Sequence, residues 1–310
     1  MNRRKFTKGL PEIVLEQKDK KEQFIDLLPD DVKKLQSIFS KNGFQLFVVG
    51  GAIRDFLLGK KPKDYDLATD ATPNDIESFL GSRPGFKVLE VGKEFGVTFV
   101  VTPNNSEGIE IATFRKDIGS GRRPDTVEFA DIETDVQRRD LTINALFFDL
   151  EKSEIIDLVG GVSDLQQKII RTVGNAAERF EEDPLRKLRA VSFAARTAGD
   201  VDPAIDAVLK ADNSLTGVSP ERIRDEFQKG WNKAQSKVQF LKLLERYDFY
   251  EKIFPGLDKN LLFSENITFF MQVATILANN PLKTIEKQLN KLTYTREDIR
   301  IISFYVELVG

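Results

Sequence analysis

The pattern of apolar residues changes character once along this chain, and that change limits the fold more than any single motif does. Before about residue 158, short apolar runs alternate with glycines and turn residues. Phe44, Leu46, Phe47, Val48 and Val49 read as a buried strand, closed by Gly50 and Gly51 ahead of the helical spacing of Ile53, Phe56 and Leu57. Lys63 to Thr69 reads as a second short strand. Pro73 opens a helix to about Leu80, and Val97 to Thr102 and Ile109 to Phe114 read as two further strands around a polar turn. Arg115 to Glu133 mixes charge with Gly119, Gly121 and Pro124 and reads as a long loop. From Asn175 onward the periodicity is helical, broken at Gly199 to Pro203, Gly217 to Pro220 and Pro255 to Gly256. The expectation is a strand-and-helix head followed by an all-helical remainder, for which 310 residues are ample.

Composition narrows the chemistry. The chain has no Cys and no His, so His or Cys zinc sites, Ser-His-Asp triads, thiol nucleophiles and imidazole bases are all excluded. Catalysis has to run on carboxylates, which hold hard cations such as Mg²⁺, with Arg and Lys gripping an anionic substrate. With 46 basic and 49 acidic residues the net charge is −3, against a broadly basic nucleic-acid coat though compatible with a local basic stripe. No stretch approaches the length of a membrane span. The start Met1-Asn2-Arg3-Arg4-Lys5 runs into polar residues rather than the apolar core of a signal peptide, so the expected compartment is the cytoplasm, with no membrane partner.

Asp64 and Asp66 flank Tyr65. On a strand, side chains at i and i+2 share a face, so both carboxylates would converge while Tyr65 turns away. Two convergent carboxylates can hold divalent cations that activate a hydroxyl and steady a leaving pyrophosphate. Such a pair is common by itself, and Asp200 with Asp202, set among Gly and Pro, shows how cheaply it arises. The company of the first pair is more specific. Gly50 and Gly51 let backbone amides approach a triphosphate, and Arg54, one turn on, can reach the same anion.

The stretch Val49-Gly50-Gly51-Ala52-Ile53-Arg54-Asp55-Phe56-Leu57-Leu58-Gly59, followed by Pro62-Lys63-Asp64-Tyr65-Asp66-Leu67-Ala68-Thr69, closely resembles motif A of class II tRNA nucleotidyltransferases (CCA-adding enzymes) and bacterial poly(A) polymerases. The likeness runs to about residue 230. Arg138-Arg139-Asp140-Leu141-Thr142-Ile143-Asn144-Ala145 looks like motif B, which implies that Arg139 and Asp140 recognise the sugar and phosphates of the incoming nucleotide. Asp157 to Leu165 resembles motif C, whose glycines suit a hinge. Glu182-Asp183-Pro184-Leu185-Arg186 resembles motif D. Asp183 and Arg186, at i and i+3, would read the Watson-Crick edge of C or A, the alternative being a surface ion pair of Arg186 with Glu182 or Asp183. The resemblance also implies that Arg189 contacts the nucleotide, whereas Ser192 stands where many relatives carry Arg. Pro220 to Glu226 resembles motif E, a buttress of the neck in the family. Glu110 is either a third carboxylate directed to the metals or an edge-strand side chain.

These matches imply an α+β nucleotidyltransferase head, a mixed β-sheet with helices, followed by an all-α neck, body and tail. The expected bounds are 1–30 for a weakly patterned extension, 31–158 for the head, 159–230 for the neck and 231–310 for the body and tail. The implied activity is template-independent addition of CCA to the tRNA 3′ end from CTP and ATP, with Mg²⁺ on Asp64 and Asp66. Poly(A) polymerase, or an enzyme adding only CC or only A, is the alternative, and a metal-dead RNA-binding protein is disfavoured by the intact acidic pair. In the tail, Trp231, Ala234, Val238 and Leu241 follow an apolar helical face, and Lys229, Lys233 and Lys237 repeat every four residues on another. That row either tracks an RNA backbone or is simply solvated. The basic Arg3, Arg4, Lys5 and Lys8 likewise read as an RNA arm or a disordered tail.

Overall fold

A computed structural model describes residues 18–89, 92–119 and 126–309. Arg3, Arg4, Lys5 and Lys8 lie outside the described residues. By internal contacts the chain divides into two compact units, residues 1–165 and 166–310.

In the first unit α1 (Lys18–Leu27) and α2 (Asp30–Lys41) precede β1 (Leu46–Val49), α3 (Gly51–Leu57), β2 (Asp66–Thr69) and α4 (Pro73–Leu80). Next come β3 (Lys87–Leu89), β4 (Val97–Thr102), β5 (Asn105–Thr113), β6 (Arg115–Ile118), β7 (Thr126–Phe129) and α5 (Ile132–Gln137). The unit closes with β8 (Leu146–Asp149), β9 (Glu154–Asp157) and α6 (Gly161–Gln167), and the division between the units falls inside α6. Among the described residues, seven strands form one mixed sheet in the order β3-β4-β5-β2-β1-β8-β9; only β2 and β5 run parallel.

Strand alternation assigns the two faces of this sheet. Leu46, Val48, Leu67, Val100, Ile111, Leu146 and Phe148 point into one core with Val32, Leu35 and Phe39 of α2, Ile53 of α3 and Ile76 and Leu80 of α4. Phe24 of α1 and Leu28 just after it are buried in the same core, so the weakly patterned extension contributes to the head from residue 18. The α4 start carries a full capping box, in which Thr72 and Asp75 satisfy each other's backbone N–H groups.

The opposite face is not covered by these helices. Its centre is an aromatic triad of Phe47, Phe114 and Phe147, with ring centroids 5.5 to 6.4 Å apart. The expected loop from Arg115 to Glu133 is corrected here. β6 and β7 form an antiparallel hairpin, Arg115 opposite Phe129 and Ile118 opposite Thr126, and α5 follows it, capped by Asp131. Only β7 alternates, with Val127 and Phe129 apolar, while β6 is polar up to Ile118; there Arg115 bonds Asp117 of the same strand at 2.9 Å and its guanidinium also donates to the Phe95 carbonyl. Residues 120–125, including Gly121 and Pro124, lie outside the described residues.

The second unit contains β10 (Ile169–Ile170), α7 (Ala176–Glu182), α8 (Leu185–Thr197), β11 (Asp200–Val201), α9 (Pro203–Ala211), α10 (Pro220–Lys233) and α11 (Lys237–Arg246). It ends with α12 (Phe249–Ile253), α13 (Phe269–Leu277), α14 (Leu282–Lys291) and α15 (Arg296–Val309). Its helical character is as expected, apart from the short parallel pair β10–β11. The core gathers Phe227, Trp231, Phe240, Phe254 and Phe269 around α10. Asp202 caps α9 by accepting from the Ile205 N–H, so the Asp200 and Asp202 pair is structural.

One continuous helix from Lys229 to Leu241 does not form. Ala234 turns extended, with ψ of 139°, and Ser236 caps a new helix by accepting from the Gln239 N–H. Lys229, Lys233 and Lys237 therefore do not share one row, and the Lys237 ammonium lies 5.0 Å from the centre of the Trp231 ring. No helix among the described residues is long and apolar enough to cross a membrane.

Candidate active site

Asp66 is the first residue of β2 and sits opposite Val49 of β1, which puts its carboxylate on the face of Phe47 and Phe147, away from the helices. Ala68 pairs with Ala112 of the parallel β5, and two residues before Ala112 on the same face stands Glu110. Both acids are solvent-exposed on one side. Asp64 lies before the strand rather than on it, so strand alternation does not fix its direction as the sequence pattern suggested. Tyr65 does turn away: it packs on the helical core and its hydroxyl donates to the Leu27 carbonyl at 2.9 Å.

The electrostatics show which charges face one another. Lost solvation first, and the Asp64 carboxylate second, push the Asp66 carboxyl above its usual range, while Arg139 pulls it back. Lost solvation and the Asp66 charge likewise raise Glu110, opposed by Arg115. Asp66 is thus close enough to Asp64, Glu110 and Arg139 for their charges to act on one another. Among the described residues no group of three or more acids is gathered closely enough to hold one ion. The donor set fits a hard divalent cation, since two oxygen ligands that repel each other are relieved by a positive charge between them.

A cleft of about 600 Å³ opens at this edge of the sheet. Its walls carry Asp64, Asp66 and Glu110, the Glu107 turn and the start of α2 at Asp30 and Asp31, with Lys63 the one basic residue among them. Asp31 is committed to the wall, accepting from Thr102 Oγ1 at 2.6 Å and Asn104 Nδ2 at 3.0 Å.

Motifs A and B meet beside the acids. Gly50, at φ of +66°, turns the chain from β1 into α3, and its N–H donates to the Leu146 carbonyl at 2.9 Å; a Cβ there would stand 3.3 Å from the Asn144 carbonyl oxygen. Gly51 then starts α3, which carries Arg54. Arg54 donates to Asn144 Oδ1 at 2.5 Å and to Asp55 Oδ1 at 2.8 and 3.0 Å, and Asn144 in turn donates to Asp140 at 3.3 Å. The Arg139 guanidinium lies 4.6 Å from the centre of the Phe147 ring and is held by Asp135 at 2.9 Å. Motif reading left Asn144 and Asp135 without a role, although Asn144 lies inside the quoted motif B. In motif C, a Cβ on Gly161 would fall 2.2 Å from the Thr142 carbonyl oxygen, and Asp157 accepts from the N–H groups of Val159, Gly161 and Val162, so Gly161 is a close-packing residue, whereas Gly160, at φ of +79°, has open space around it.

In the helical unit Asp183 ends α7 and Arg186 lies in the first turn of α8. They engage different partners. Asp183, buried, pairs with Arg222 of motif E at 2.6 Å, while Arg186 bonds Glu182 at 2.5 Å and the Arg179 carbonyl at 3.2 Å. Arg189 stands 3.7 Å from Glu226, a buried acid that also holds Arg196 at 2.9 Å. Ser192 is wholly buried and its hydroxyl has no hydrogen-bond partner among the described residues.

Residues 46–171 match the poly A polymerase head domain family. The CCA-adding enzyme of Ligilactobacillus salivarius is 40% identical over 227 residues, covering 70% of this chain and 54% of that protein. Poly(A) polymerase I of Escherichia coli O6:H1 is 32% identical over 291 residues, covering 88% of this chain and 58% of that protein. The chain thus spans little more than half the length of these relatives. Among solved structures, the Bacillus stearothermophilus CCA-adding enzyme in complex with CTP superposes with a TM-score of 0.73 at 26% identity, covering 91% of this chain and 71% of that one. With the motif A acids lining one cleft, Arg54 bonded to motif B, and these likenesses extending through both units, the chain belongs to the family of tRNA nucleotidyltransferases and bacterial poly(A) polymerases.

Proposed function

We propose that this protein adds C, C and A to the 3′ end of tRNA from CTP and ATP, without a nucleic-acid template, as a metal-dependent cytoplasmic enzyme. The observation that carries the reading is the acid cleft, whose walls bring Asp64, Asp66 and Glu110 together, with the Arg139 charge acting on Asp66. Asp64 and Asp66 are the residues to hold Mg²⁺, chosen because both are hard oxygen donors. When bound, Mg²⁺ supplies the positive charge that favours the ionised 3′ hydroxyl and the departing pyrophosphate. The chain's own groups do the rest. Arg54, oriented by Asn144 and Asp55, grips the triphosphate beside the Gly50 turn and the start of α3 at Gly51. Arg139 and Asp140 hold the sugar and phosphates, and Glu110 adds negative charge that retains the cations. Arg189 is a further nucleotide contact.

Base choice is assigned to Asp183 and Arg186. Cytosine and adenine each present an amino donor beside a ring-nitrogen acceptor, which an Asp acceptor and an Arg donor complement; uracil and guanine present the reverse order. One amino-acid pair thereby accepts both correct bases.

CMP and AMP incorporation into tRNA ending at the discriminator base tests this, comparing the wild type with Asp64→Ala and Asp66→Ala, in Mg²⁺ and in EDTA. The expected result is incorporation by the wild type in Mg²⁺ alone, with losses of at least about 10³-fold in both variants. Near-normal turnover in either variant overturns the metal assignment. The poly(A) reading rests on the longer match to the E. coli poly(A) polymerase, and AMP addition without CMP addition would favour it.

A further inference from the structure

Asp135 of α5 lies four residues before Arg139, is 1% exposed, and belongs to none of the motif positions assigned above. Its Oδ2 accepts from Arg139 Nε at 3.1 Å and Nη2 at 2.9 Å, a two-pronged contact along one edge of the guanidinium. Its Oδ1 accepts from Arg138 Nε at 2.9 Å and from the Arg115 backbone N–H at 3.3 Å. A buried carboxylate that receives four donors is fully committed, so each donor is held to one place. The Arg139 guanidinium is fixed on its flat side as well, stacked over Phe147 at 4.6 Å. One edge and one face are thereby occupied, and the Nη1 side is the part offered to a ligand. The Arg115 contact ties the first residue of β6 to the same carboxylate.

We propose that Asp135 is a positioning residue for nucleotide binding, fixing Arg139 in the orientation that meets the sugar and phosphates and setting the base of the β6–β7 hairpin in the same frame. The inference rests on the reading that Arg139 touches the nucleotide. A purely structural ion cluster would contribute to stability alone. A positioning residue acts through Arg139, so its effect must vanish when Arg139 is removed.

The test measures equilibrium CTP binding, the KM and kcat of CMP incorporation, and Tm for the full chain as wild type, Asp135→Asn, Arg139→Ala and the double variant. Asp135→Asn keeps the side-chain shape and removes the charge. The expected outcome is CTP binding weakened and KM raised by about tenfold, the scale of losing a charge-assisted contact, with a smaller change in kcat. In the Arg139→Ala background the same substitution should add less than about twofold. A lowered Tm with unchanged CTP binding and KM overturns the proposal, as does a full multiplicative effect in the Arg139→Ala background. Wild-type affinity in Arg139→Ala removes its premise and overturns it too. A wild-type protein that binds no nucleoside triphosphate overturns the proposed function along with it. Should Asp135→Asn not fold, Arg139→Lys serves in its place, since it keeps the charge and loses the two-pronged contact; a wild-type KM for CTP there also overturns the proposal.

Discussion

Asp66 and Glu110 share a face that suits a bound cation better than it suits either acid alone. Lost solvation raises both pKa values in the folded chain, with repulsion from Asp64 adding at Asp66 and repulsion from Asp66 adding at Glu110. A carboxyl raised on folding holds its proton more tightly in the native state, so without divalent cations stability falls as pH climbs from the unfolded value near 4 through the raised native value. Asp66→Asn in EDTA at neutral pH should therefore raise Tm by roughly 1–2 °C, a small gain because the side chain is largely exposed, while abolishing incorporation. A thermal melt checks the sign, and a lowered Tm would remove the repulsion from the account. Arg186 is the other residue with a sharp expectation. Its partners in the structure include Glu182 and the Arg179 carbonyl, so base reading requires Arg186 to exchange part of these contacts for the base. In Arg186→Ala, preference for CTP and ATP over UTP and GTP should fall by about 10- to 100-fold, measured as kcat/KM for all four nucleotides. An unchanged preference with a depressed Tm would mark the pair as structural. At this scale the sequence was most legible where residue type decides function, as at Asp64, Asp66 and Arg54. It was silent on Asp135 and Glu226, because nothing in a linear pattern shows that a buried acid is shared by two arginines.

Local geometry explains which elements could be read in advance. The β1–α3 unit and α4 were clear because apolar spacing, the Gly50 turn and the Thr72–Pro73 start all point the same way. The β6–β7 hairpin was hidden because β6, Arg115-Lys116-Asp117-Ile118, has no apolar alternation, and Gly119, Gly121 and Pro124 after it read as a loop. The α10–α11 break was hidden because the apolar spacing of Trp231, Ala234, Val238 and Leu241 runs across the Ser236 cap. Gly161 is the element-scale prediction. Its α-carbon approaches motif B so closely that Gly161→Ala must push the Thr142 turn, with a loss of about 2 kcal/mol or more in denaturant unfolding. A change below about 0.5 kcal/mol would show that the contact yields freely. Shortening the segment 119–124, which joins the hairpin strands, should reduce AMP addition more than CMP addition. Equal losses would count against a role in the change from CTP to ATP.

Taken whole, the chain divides into a sheet-bearing unit that carries Asp64, Asp66 and Glu110 and a helical unit that carries Asp183 and Arg186. The division itself falls at residues 165 and 166, inside α6, where apolar spacing gives no signal. With a net charge of −3 and an acidic cleft, RNA binding under the proposed function would depend on local arginines and on cations, so incorporation should weaken steeply as monovalent salt rises. The central claim is that amino-acid side chains, and not a template, choose C, C and then A. It is tested most directly by incubating the purified protein with Mg²⁺, CTP and ATP on tRNA ending at the discriminator base and sequencing the products. The account predicts a single product extended by CCA that grows no further, and homopolymeric A tails, or no extension at all, would contradict it.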